Sequence, residues 1–241
     1  MPSRPRLPQL PDVPPPEDPH RGYTQSEILA ALRRLVLSGS LPPGTGLPLR
    51  EFAKLFGVSA IPVRESLQTL IGEGLVEHRP HFGYTVTRLT TAELRELYLV
   101  RERLESAALA AAAQRAGGED HRAAVEALRR MEQAVQADDP AGYHRETRNF
   151  HLALTRPSGM ARLVHMLEYA WNITEPVQPM VHISAAERAR LQADHHRQLA
   201  AFLAGDAEAL LAATEQHHDR LNRVVAELPT DIGLFAEPDS P

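Results

Sequence analysis

Twelve histidines and no cysteine among 241 residues narrow the chemistry this chain can do before any element is assigned. Without thiols there is no disulfide framework, thiolate metal site or cysteine nucleophile, which fits a reducing, cytoplasmic setting. The imidazoles are grouped: His195-His196 and His217-His218 are doublets, and His151 stands between Phe150 and Leu152. Neighbours on a helix point about 100° apart, so one member of each doublet is expected to face a bundle interior. His217 shares a stripe with Leu210, Leu221 and Val224, and His195 lies one turn before Leu199. Three inward imidazoles from three helices can bind a divalent metal ion of the zinc or nickel kind and leave positions open for water or a ligand. The competing reading is that they are surface or hydrogen-bonded core histidines. A three-histidine centre can also activate water, but no carboxylate sits in an evident general-base position, so an enzyme is not expected.

A second constellation lies near the N-terminus, in Ser59-Ala60-Ile61-Pro62-Val63-Arg64. Arg64 falls on the polar side of a segment whose other side is apolar, where it can reach a phosphate or a guanine edge. Arg50 opens the preceding helical segment and can hold a phosphate backbone. Arg79, His81 and Gly83 mark a hairpin tip able to enter a minor groove. The alternative is that these are ordinary surface arginines. Net charge is −5 overall, yet residues 21–88 hold eight Arg/Lys against five Asp/Glu, and residues 89–228 hold sixteen against twenty. A mildly basic first domain on an acidic second one suits a DNA reader joined to another module.

The elements that must carry these residues can be read from periodicity. Residues 1–20 hold eight prolines and read as a disordered arm. From Thr24, the stripe Ile28, Leu29, Leu32, Leu35 and Val36 predicts a helix stopped by Gly39 and Leu41-Pro42-Pro43-Gly44. A short helix over Leu49–Phe56 ends at Gly57, and a third begins after Ser59 with Pro62 in its first turn, where a missing N–H costs nothing. Leu75–Arg79 and Gly83–Thr87 then alternate as a hairpin. Beyond the capping box Thr90-Thr91-Ala92-Glu93, only helices are expected, six with short loops, which implies an antiparallel bundle. The fold class is mainly α: an N-terminal winged helix-turn-helix over 21–88, an all-α antiparallel bundle over 89–228, and an acidic disordered tail over 229–241. The longest apolar stretch, Ala107–Ala113, is too short to span a bilayer.

Two resemblances follow from particular residues. Leu47–Phe56, Gly57-Val58-Ser59-Ala60-Ile61-Pro62-Val63-Arg64-Glu65-Ser66-Leu67 and Glu73-Gly74-Leu75-Val76 resemble the winged helix of the GntR family of regulators. The resemblance implies contacts to double-stranded operator DNA from Arg50, Ser59, Ile61, Pro62, Arg64 and Gly83. Ala60 departs from the family, which often has Arg there; that loss removes a contact commonly worth about 1–3 kcal/mol of discrimination. Leu97-Tyr98-Leu99-Val100-Arg101-Glu102-Arg103-Leu104-Glu105, Phe150–Leu154 and Ala204-Gly205-Asp206-Ala207 resemble the FCD effector-binding domain of the FadR-type branch. Many such domains hold a metal with one Asp and three His beneath a pocket for small organic acids. By that resemblance His151, His195 and His217 are the three histidines. Thr147, one turn before His151, stands where the family has Asp, and a neutral hydroxyl is a poor ligand. Arg101 could fork onto an effector carboxylate or, alternatively, pair at the surface with Glu105.

The resulting expectation is a homodimeric, ligand-responsive DNA-binding regulator, of the repressor kind, answering to a small carboxylate or sugar acid. The alternative is a metal-responsive regulator in which the ion itself is the signal.

Overall fold

The computed structural model describes residues 13, 15–16, 22–80, 82–229 and 233–236. His81, most of the proline-rich arm and most of the acidic tail therefore lie outside the described residues. The chain divides into two compact units, one containing residues up to Thr90, the other built on Thr91–Trp171 and Gln178–Thr230.

The first unit opens with α1 (Gln25–Leu37), α2 (Leu49–Phe56) and α3 (Ala60–Gly72). Thr24 starts α1 with a capping box: its hydroxyl accepts from the Glu27 N–H at 3.3 Å, and its own N–H donates to the Glu27 carboxylate at 2.6 Å. One face of α1 buries Ile28, Leu32, Leu35 and Val36 against Val63, Leu67 and Leu70 of α3 and Phe52 of α2. Each such side chain, fully buried, stabilises the unit by about 1.5–3 kcal/mol relative to exposure. Gly57 ends α2 in the left-handed region (φ 64°), which lets the chain reverse straight into α3. Arg33 of α1 forks onto Glu73, the C-cap of α3, with one bond of 2.8 Å.

After α3, β1 (Val76–Arg79) and β2 (Gly83–Val86) pair antiparallel, with Val76 opposite Val86 and Arg79 opposite Gly83. Val76, Tyr84 and Val86 turn into the core, as the period of two requires. Gly46 bridges to Thr85, and Leu47 N–H donates to Tyr84 O at 2.8 Å, so the segment entering α2 forms a short third partner for the hairpin.

The second unit holds α4 (Thr91–Arg115), α5 (Gly118–Gln136), α6 (Pro140–Thr155), α7 (Ala161–Thr174) as far as Trp171, α8 (Ala185–Ala204) and α9 (Ala207–Ala226). Its punctuation follows the sequence. Asp139 caps α6 by accepting from Gly142 N–H at 2.8 Å, with Pro140 at the first helical position. Gly205 closes α8 with φ 67°, and Asp206 caps α9 by accepting from Ala209 N–H at 2.9 Å. Where a loop is expected over Glu175–Pro179, the chain makes two 3-10 turns, Glu175–Val177 and Pro179–Val181, around Gln178 at φ 47°. Within this unit α9 packs on both α8 and α4, while α6 packs on α5 and α4. That arrangement brings the inward faces of α4, α6, α8 and α9 to one place. Among the described residues, no helix is long and apolar enough to cross a membrane.

Candidate nucleic-acid interface and metal centre

In the first unit, α3 buries Val63, Ser66, Leu67 and Leu70, which leaves Arg64, Gln68 and Thr69 on the opposite side, exposed. Ser59 has the extended backbone of an N-cap, and Pro62 lies in the first turn, as expected. Arg50, Arg64 and Gly83 line one open groove of about 750 Å3 between α2, α3 and the hairpin, together with Phe82 and Tyr84. Gln68 donates to the Tyr84 hydroxyl at 3.0 Å and ties α3 to β2 beside that groove. Ser59 and Ile61 are exposed, and Pro62 is half-buried, at the start of α3; none of the three lines the groove. A groove with guanidinium groups on two sides, at the first turn of an exposed helix, is shaped to hold a phosphate backbone and present base-reading groups.

In the second unit His151 on α6, His195 on α8 and His217 on α9 converge. Their ring centroids lie 5.2 Å (151–195), 5.1 Å (151–217) and 4.6 Å (195–217) apart. One nitrogen from each falls within 4.8 Å of the others, and all three residues are buried. His151 Nε2, both ring nitrogens of His195 and His217 Nε2 have no hydrogen-bond partner among the described residues. Buried polar atoms are almost always satisfied, so orphans on three convergent rings point to a missing partner. Burial lowers His195 well below its ordinary range; burial chiefly, with the neighbouring His151 and His218 adding, lowers His217 to about 4 despite Asp194. Neutral imidazoles offer the lone pairs a metal needs. The donor set fits a borderline divalent ion, with His151, His195 and His217 as its holders.

Two carboxylates stand behind the rings. Glu105 of α4 is fully buried, bonded to His151 Nδ1 and 3.1 Å from His218 Nε2. With Nδ1 so engaged, His151 turns Nε2 to the centre, the arrangement that orients metal-bound imidazoles generally. Burial opposes the Glu105 charge, yet His151 and His218 together hold its carboxyl well below the ordinary range. Asp194 is buried beneath His217, 3.8 Å from its Nδ1, and is held by Arg197 and by Arg220 at 2.9 Å.

The comparisons with known proteins now bear on this geometry. Residues 24–86 match the family described as bacterial regulatory proteins, gntR family, and residues 96–220 match the FCD domain. The chain is 30% identical over 179 residues to the HTH-type transcriptional regulator McbR of Escherichia coli (strain K12), covering 73% of this chain and 81% of that one. The chain belongs to the GntR family. This GntR regulator is also 30% identical over 155 residues to a probable D-xylose utilization operon transcriptional repressor of Paenarthrobacter nicotinovorans, covering 62% of this chain and 66% of the relative. The solved structure of E. coli McbR/YncC superposes with a TM-score of 0.75 at 26% identity, over 84% of this chain and 96% of that one. A winged helix-turn-helix followed by a helical FCD domain is thus the architecture of this regulator, and its relatives are regulators rather than enzymes.

Two details of the GntR chain depart from the sequence reading. Arg101 is not a surface arginine paired with Glu105. It is buried, with its guanidinium 3.3 Å from the Trp171 ring centre and 4.3 Å from that of Tyr98. His195 and His196 divide as expected, one buried and one half-exposed, but His217 and His218 are both buried. Because α9 packs on α8 and α4 at once, two directions 100° apart on that helix are both interior. Thr147, the doubtful fourth ligand, shares the cavity wall with the three histidines, and its hydroxyl donates to the Tyr143 carbonyl at 2.8 Å, one turn back. Glu105, Asp194, His218 and Trp171 escaped the sequence reading. The one available signal was Glu105, two residues before the alanine-rich run 107–113, where a helix is heading into a core.

Proposed function

We propose that this protein is a homodimeric repressor whose two winged helices read a roughly palindromic operator, and whose FCD domain binds a small carboxylate or sugar acid that alters their relative setting. The observation that carries the reading is the pairing, in one chain, of a guanidinium-lined groove with three buried imidazoles whose free edges converge. Arg64 and Ser59 would address base edges and phosphates from the N-terminal end of α3, Ile61 a thymine methyl, and Arg50 and Gly83 the flanking backbone. Exposed Leu99 and Val100 on α4, and Met166 and Tyr169 on α7, are apolar surface that a second copy could cover. A protein that reads chromosomal operators works in the cytoplasm, where that DNA is.

A divalent ion held by His151, His195 and His217 would supply a positive point charge to which an acid's carboxylate can bind. Arg101 lines the same cavity. Trp171 and Tyr98 hold its guanidinium plane in place. Thr147 brings no negative charge to that wall, so an acidic effector meets no carboxylate repulsion from it.

A specific observation favours the second reading, in which the ion itself is the signal. The cavity between these residues is about 10 Å3, close to a single water-sized sphere. An ion fits that space as it stands, whereas an organic acid requires the wall to move. One experiment addresses both readings: fluorescence anisotropy on the duplex upstream of the protein's own gene, titrated with salt, then with zinc or nickel alone, then with metal plus candidate acids. The expected outcome is salt-dependent binding that Arg64→Ala weakens far more than Arg122→Ala, and that metal plus acid shifts more than metal alone. Binding absent at low salt would overturn the operator reading. A full response to metal alone, unchanged by any acid, would establish the metal-responsive one.

A further inference from the structure

His218 is buried beside the three convergent histidines without being one of them. It is 2% exposed on α9, with its ring centre 5.7 Å from that of His217. A buried imidazole gives up its water, a loss that only a hydrogen-bond partner makes good. For His218 one partner is in reach. Its Nε2 stands 3.1 Å from Glu105 Oε2, and apart from that approach neither ring nitrogen has a partner among the described residues. Leucine would pack the same interior position without that loss, so the residue type itself points at Glu105. The other oxygen of Glu105 accepts from His151 Nδ1, and all three side chains are buried. A carboxylate only accepts, so each ring must turn an N–H toward it. Held by one bond, the carboxyl group would remain free to turn about its last side-chain bond, a torsion with broad wells. Held at both oxygens, from α6 and from α9, it keeps one plane.

We infer that His218 is a positioning residue for the metal centre: by fixing the plane of Glu105 it holds His151 as the Nδ1–H tautomer, with the Nε2 lone pair facing the ion. This inference rests on the metal reading of His151, His195 and His217 above. His218 acts at one remove and makes no bond to the ion. The other two rings show what the clamp adds. His195 has no partner on either nitrogen among the described residues, and His217 Nδ1 stands 3.8 Å from Asp194. His151 is thus the ring whose tautomer is chosen before an ion arrives, which lowers the reorganisation that binding requires.

The test uses the full-length protein with its histidine ring nitrogens isotopically labelled. In the metal-free wild type, long-range proton–nitrogen correlation spectra should show His151 as the Nδ1–H tautomer alone, its signals identified by their loss in His151→Gln. In His218→Leu, and in His218→Asn, whose amide stops short of Glu105, the same signals should report a mixture of tautomers. Zinc affinity, from competition with a chromophoric chelator, should fall about tenfold in both. His218→Gln, whose amide can donate from near the place of Nε2, should restore the single tautomer and most of the affinity. His196→Leu, in the other doublet and half-exposed beside Glu132, should leave both readouts as in the wild type. Thermal melting checks that each variant is folded, and either loss variant alone suffices. A wild-type tautomer in the folded loss variants, with or without weaker zinc binding, overturns the inference. So do His218 nitrogen shifts in zinc-loaded protein that mark it as a ligand. A wild type that binds no zinc overturns the metal reading and this inference with it; failure of the clamp alone shows as an unchanged tautomer in a protein that still binds zinc.

Discussion

At the scale of single residues, the buried site is governed by what stands behind each imidazole. His151 has one nitrogen on Glu105 and the other free, so the tautomer presented to the centre is set from α4, not from its own helix. Replacing Glu105 by Gln keeps shape and removes the charge. Zinc affinity, read by competition with a chromophoric chelator, is then expected to fall about 10–100-fold. Thr147→Asp works in the other direction. It places a carboxylate on the cavity wall that holds the three histidines, where it is unpaired without an ion and a ligand with one. The variant should melt below wild type when metal-free and gain more from zinc than wild type does, by differential scanning fluorimetry. Equal gains in both proteins would show that position 147 does not reach the ion.

At the scale of elements, local chemistry sets where helices begin and end, and this is where sequence speaks most directly. Thr24 and Glu27 close a reciprocal cap on α1, so Thr24→Ala should cost about 1 kcal/mol in urea unfolding. At Gly57 a Cβ would meet nothing within 4 Å, so Gly57→Ala should cost only the left-handed backbone, roughly 1–2 kcal/mol. Gly142→Ala is a different case. Its Cβ would meet the Asp139 carboxylate that caps α6, so that side chain must shift and the cap weakens, a loss of about 1 kcal/mol. Comparing the three variants by unfolding midpoint separates cap, backbone strain and steric exclusion. The hairpin shows the complementary limit: its strands were readable from alternation, but the third partner at Gly46 pairs across nearly forty residues and leaves no local trace.

At the scale of the whole molecule, the proposed function links ion, effector and DNA through one folded chain. Zinc at about 100 times its dissociation constant should stabilise the folded protein by roughly 2.7 kcal/mol, visible as a higher melting temperature that a chelator reverses. The same linkage makes the proposed switch reciprocal. An acid that weakens operator binding by some factor must itself bind more weakly, by that factor, to the operator-bound protein. Calorimetric titration of the acid into protein with and without its operator duplex measures both limbs, and unequal factors would rule out a single coupled equilibrium.

By itself the sequence determined the order of elements, the stripes that face inward, the caps and the winged-helix residues Gly57–Arg64, because each depends on neighbours within about four positions. It also raised the expectation that His151, His195 and His217 face inward from three different helices, beside the competing reading of surface or hydrogen-bonded core histidines. Only the tertiary structure decided that those faces meet at one point. It alone placed Glu105 from a fourth helix behind two of the histidines, buried both members of the second doublet, and laid Arg101 over Trp171. The reason is physical: helical periodicity states which way a side chain points relative to its own axis, whereas the partner it meets depends on how α4, α6, α8 and α9 pack around a shared core.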